Sequence, residues 1–170
     1  MRKLLRLAVL MALTGLVFTL ASVASASAAT FSGTCELSGV AGLNPPLGLT
    51  PASSTFTFDG SGTCVGADGT TPYNGPATAH AAGSGNLACS VSTGSGSGTL
   101  TLANGDSVNF GLTLVGKATE VELVLTGNSG GRGYAHATFA TNAGAAAGCA
   151  SNSVSSLNFV VAATAANLSG

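Results

Sequence analysis

Apolar and polar positions alternate most cleanly between Gly98 and Gly127, in GTLTLANGDSVNFGLTLVGKATEVELVLTG. Leu100 and Leu102 alternate with Thr99 and Thr101. Val108, Phe110, Leu112 and Leu114 alternate with Asn109, Gly111 and Thr113, and Val121, Leu123 and Leu125 with Glu122 and Val124. A side-chain period of two is that of a strand with one buried face. Because cross-strand partners share a face, the turns can be tested for register. A two-residue Asn104-Gly105 loop would set leucines opposite Ser107 and Asn109. A three-residue loop, Ala103 to Gly105 with Gly105 left-handed, brings Leu100 opposite Val108 instead. The next turn, around Gly116 to Thr119, needs an even loop, which is expected to set Leu112 against Leu123 and Phe110 against Leu125.

The same alternation recurs more faintly along the rest of the chain. Phe31, Cys35 and Leu37 share one parity, as do Phe56, Phe58 and Cys64; ATAHAAG and NLACSVS read as two short strands, GRGYAHATFAT as another, and Leu157, Phe159, Val161 and Ala163 mark a final one. Between the first two strands, VAGLNPPLGLTPASS carries Pro45, Pro46 and Pro51, which oppose regular pairing and predict a long surface connection. VGADGTTPYNGP reads as a turn region, STGSGSG as flexible or bulged, and TNAGAAAGCASN as a connection with room for a helical turn. About nine strands in sequence order imply an all-β antiparallel meander, closed into a barrel or folded into a sandwich so that its edges are covered. Inward glycines such as Gly33, Gly60, Gly62 and Gly98, which relieve crowding where strands coil, favour the barrel.

Residues 1–28 carry a different signature: Arg2, Lys3 and Arg6, then an uncharged apolar run from Leu7 to Val23, then ASASAA. Basic, apolar and small in that order predict an export signal cleaved after Ala28, leaving residues 29–170 as a single exported domain without a membrane anchor. That product keeps Lys117 and Arg132 against six carboxylates, a net charge of −4. So few cations cannot neutralise a phosphate backbone, and nucleic acid is excluded as a partner.

Cys35, Cys64, Cys89 and Cys149 form an even set in an exported chain, which reads as a disulfide framework. Their wide spacing lacks the close pairs of a zinc site. Three pairings are possible. SGTCELSG and GSGTCVG repeat Gly-Thr-Cys as two strand edges, and in a meander those first two strands are neighbours, which favours Cys35 with Cys64 and Cys89 with Cys149. Cys35, Cys64 and Cys89 share the apolar parity of their strands, so buried cystines are expected.

The layout resembles a group of small exported actinobacterial proteins with four cysteines, to which no activity is attached. FSGTCELSG, NPPL, the second GSGTC, the third cysteine ahead of a Gly/Ser run and the late cysteine carry the resemblance, and it implies neither cofactor nor site. A looser likeness, in composition and cysteine number, is to the apoproteins that carry enediyne chromophores; the cysteine loops here are far larger, and no residue is carried over from them.

Catalytic constellations are weak. Gly127 to Gly131 spells G-x-S-x-G but joins two strands rather than a strand and a helix, so it lacks the context of a nucleophile elbow. His80 and His136 have no third ligand at a fixed spacing, so no metal or cofactor is expected. Arg132, Tyr134 and His136 fall on one face of one strand, a concentration of rare polar types that suits a ligand-binding face, with Ala135, Ala137 and Phe139 on the other. With His80 they are the candidate ligand-binding residues. The expectation is a non-enzymatic extracellular β-module that binds a small molecule or a cell-surface component. The alternatives are a hydrolase using His136 or His80 with a nearby hydroxyl, and a self-associating surface protein.

Overall fold

The computed structural model describes residues 29–117, 119–140 and 143–170; the expected export segment, residues 1–28, lies outside them. Strands β1 (Thr30–Leu47), β2 (Ala52–Asp68), β3 (Thr71–Leu87), β4 (Ser92–Leu102), β5 (Ser107–Lys117), β6 (Glu120–Gly127), β7 (Gly130–Phe139) and β8 (Val154–Ser169) follow one another, with the helix α1 (Ala143–Ala150) between β7 and β8. Each strand pairs antiparallel with its successor, and β8 returns to β1, closing an eight-stranded barrel. Closure removes both edges of the meander.

The ninth expected strand is absent because NLACSVS is mostly a turn. β3 runs on to Leu87, residues 88–91 turn the corner, and β4 starts at Ser92. STGSGSG is the first half of β4 rather than a flexible segment: Gly94 and Gly96 pair with Gly85 and Gly83, and at these positions a Cβ on one strand would run into the backbone of the other. The missing side chains let the sheet coil tightly there.

Prolines proved less disruptive than expected. β1 continues through Pro45 and Pro46 to Leu47, and the connection to β2 is only residues 48–51. The pairing of β1 with β8 is irregular between Gly42 and Leu47, and this break takes up the residues whose N–H is missing. Likewise the turn region around Asp68 shrinks to residues 69–70, with Gly69 left-handed. Pro72 and Pro76 lie in β3 ahead of Ala77, where pairing with β4 begins, so one side of that stretch has no strand to donate to.

The two turns tested by register divide. At Ala103 to Gly105, Leu100 faces Val108, Gly105 has φ 94° and its N–H donates to the Leu102 carbonyl at 2.9 Å. The next loop is even, as expected, with Lys117 opposite Glu120. Leu112, however, meets Leu125 and Leu114 meets Leu123, while Phe110 meets Gly127. A slip of two residues leaves every side chain on its own face, so alternation alone cannot detect it.

Apolar side chains fill the inside. Phe31, Leu102, Val108 and Leu168, all nearly inaccessible, pack together at the end where β1 begins. Phe58 forms an aromatic cluster toward the other end, its ring centroid 5.3 Å from Phe56 and 5.6 Å from Phe159. Cys35 and Cys64 are direct cross-strand partners, bonded with Cα atoms 4.1 Å apart and buried in this core. The second disulfide, Cys89–Cys149, fastens the β3–β4 turn to α1. It is only half-buried, contrary to the parity argument, because Cys89 sits in a turn where strand parity has lapsed.

Candidate functional site

β7 turns Ala135, Ala137 and Phe139 inward and Arg132, Tyr134 and His136 to solvent. Tyr134 is 59% exposed, so the stripe belongs to the outer wall of the barrel. That wall is not smooth. β8 beside it presents only Ala162 and Thr164, and beyond β8 stand Thr34 and Glu36 of β1, so a groove of about 840 Å³ crosses the barrel exterior.

The register sets its walls opposite one another. Ala162 pairs with Glu36 on one side and His136 on the other, and Thr164 pairs with Thr34 and Tyr134 in the same way. β1 and β7 are two inter-strand spacings apart, about 10 Å, enough for one small molecule to lie on the β8 floor. Glu122 and Val124 of β6 extend the wall behind His136 and Tyr134. His136 Nε2 lies 3.5 Å from Glu120 Oε1, a solvated pair.

Of the four sequence-predicted residues, Tyr134 and His136 line this groove. Arg132 lies further along β7, between Thr126 and Ala166, outside the lining. His80 is on β3, half the ring away, with its Nδ1 2.6 Å from Asp59 Oδ1 across the β2–β3 pair. Glu36 and Glu122 were not singled out from the sequence. Their outward parity was visible; Glu122 comes beside His136 through the β6–β7 hairpin, but Glu36 reaches the groove only because β8 pairs with β1, which no local pattern announces.

A histidine held by a carboxylate invites comparison with a catalytic dyad, and Thr99 is the cross-strand neighbour of His80 on β4. Its hydroxyl donates to Asn109 Oδ1 at 2.7 Å. Among the described residues no hydroxyl hydrogen-bonds to His80 or His136. Ser129 of the G-x-S-x-G segment sits in the tight β6–β7 turn, its hydroxyl donating to the Gly170 carbonyl at 3.3 Å.

At the end where β1 begins, the β2–β3 and β4–β5 turns meet in a polar knot. Asn104 Nδ2 donates to Asp68 Oδ2 at 2.9 Å and to Asp106 Oδ2 at 2.8 Å. The hydrogen bond and repulsion from Asp68 hold the Asp106 carboxyl above the usual carboxylate range, with Asn104 pulling the other way.

No family model, curated protein or solved structure matches this chain. The functional reading therefore rests on the barrel, its disulfides and the chemistry of its surfaces.

Proposed function

We propose that this chain is an exported, non-enzymatic binding module whose outer groove takes a small organic cation, an amine or guanidinium that is free or displayed at a cell surface. The arrangement of Glu36 facing His136 and Glu122 across Ala162, with the Tyr134 ring beside them, carries the reading. Two carboxylates make the groove electronegative, and a tyrosine face adds attraction for a cation beyond simple ion pairing. Two disulfides fit an oxidising compartment, consistent with an extracellular place for the exported domain. Apolar residues face the inside of the barrel, the reverse of a lipid-facing barrel, which supports release after signal cleavage rather than membrane residence.

Calorimetric titration of the purified oxidised protein with tetramethylammonium and with agmatine tests this directly. Binding should weaken as salt is added, because exposed charges are screened, and should fall about tenfold in Glu36→Gln and in Tyr134→Ala, a loss of roughly 1.4 kcal/mol. Absence of binding by either cation, or affinity unchanged in both variants, removes the proposal. Turnover that copurifies with the protein and is lost in His80→Ala would favour the hydrolase instead.

A further inference from the structure

The barrel interior is not filled. Between the Phe31–Leu168 plug at one end and the Phe58–Phe159 contact toward the other lies a cavity of about 100 Å³. Alanines open it: Ala79 and Ala81 on β3 stand across the axis from Ala135 and Ala137 on β7, with the larger Phe110 and Leu112 on β5 between them. Closure into eight strands leaves an interior that side chains just fill or that holds one small ligand, and these alanines move the balance toward the second.

Water is a poor occupant for this space. The inward side chains carry no hydrogen-bonding group, and the strand backbones are paired with their neighbours all round, the β1–β8 ladder shifting register between Phe31 and Gly33. A water needs two to four polar partners, roughly, to be held in a cavity. Apolar cavities of about 150 Å³ stay dry and take benzene or xenon. From these features we infer that the barrel encloses a second binding site, separate from the outer groove, for a compact apolar molecule of about the size of a benzene ring or a short alkyl segment. Phe58 lines both this cavity and a smaller void of about 30 Å³ under Leu43, Leu114 and Leu157, so a rotation of that ring would join the two.

The test uses benzene and n-hexane as probes on the purified oxidised protein, read by methyl chemical shifts and by the melting temperature. Binding should perturb the methyls of Leu112, Leu123 and Val161 and raise the melting temperature with probe concentration. Ala137→Val and Ala135→Val each add two methyl groups to the cavity wall, and in whichever folds the affinity should fall at least about tenfold. Tyr134→Ala, on the outer wall, should leave it unchanged, so failure here is distinct from failure of the groove. No binding of either probe to the unaltered protein overturns the inference. So does binding that survives unchanged in a folded cavity-filling variant, since the probe would then sit elsewhere.

Discussion

Gly83 of β3 lies directly opposite Gly96 of β4, and a Cβ built on Gly96 would come within 2.8 Å of the Gly83 Cα, while one on Gly83 would come within 2.7 Å of the Gly96 Cα. Such an approach requires glycine on both strands. Gly96→Ala must push the two backbones apart, and overpacking of this kind costs about 1–3 kcal/mol. Gly111→Ala is the control, since its Cβ would meet nothing nearer than 3.8 Å, and it should stay within about 0.5 kcal/mol of the parent. Urea unfolding of both variants checks the contrast; equal effects would mean that the glycines mark no close approach.

The same glycines explain what could and could not be read from the chain. β5 and β6 announce themselves because large residues such as Phe110, Leu112 and Leu123 alternate with polar ones. In the first half of β4 the inward positions are Gly94, Gly96 and Gly98, so the alternation is present without the side chains that would reveal it, and the stretch resembles a linker. Parity along β7 did place Tyr134 and His136 outward together. It could not supply Glu36, which reaches their groove only through closure of β8 onto β1, and it misassigned Cys89 because a turn had intervened. Arg132 shares the parity but sits too far along the strand to join the groove.

The two disulfides should differ in access. Cys35–Cys64 is enclosed by the barrel, whereas Cys89–Cys149 is half-buried between a turn and α1. Exchange requires a thiolate to reach a sulfur, so mild reduction followed by alkylation and mass spectrometry should label Cys89 and Cys149 first. Replacing that pair by serines frees a closure spanning 60 residues in sequence, for which chain entropy predicts a loss of about 4 kcal/mol. Labelling of Cys35 and Cys64 at the same rate would mean the barrel opens as readily as the turn does.

Asp106 gives a pH dependence with a definite sign. Its folded carboxyl titrates above the unfolded value, chiefly through the hydrogen bond with Asp68 and then through repulsion from it. The folded state therefore holds a proton that the unfolded state has released. This contribution to stability is fully present at pH below the unfolded value and is lost as pH rises through the raised folded one. Asp68→Asn removes the like charge and keeps groups that can bond Asn104 and Asp106. The variant should gain stability at neutral pH, and its advantage should shrink as pH falls through the carboxylate range. Urea midpoints across that range decide it; a constant offset at every pH would show that the Asp68–Asp106 pair is not its source.

Filling the groove from its floor separates recognition from folding. Ala162 points outward from β8 between Glu36 and His136, and the wall of the barrel beneath it is made by its neighbours Val161 and Ala163, whose side chains go inward. Ala162→Leu therefore adds bulk in solvent, where substitutions usually change stability by no more than about 0.5 kcal/mol. The added side chain stands where a cation would have to lie to touch both Glu36 and Tyr134. Binding of tetramethylammonium or agmatine should fall at least as far as in Tyr134→Ala, while benzene uptake and the urea midpoint stay at the parent values. If cation binding persisted in Ala162→Leu, the ligand would have to sit on one wall alone, and the opposition of Glu36 and His136 across β8 would have no part in recognition.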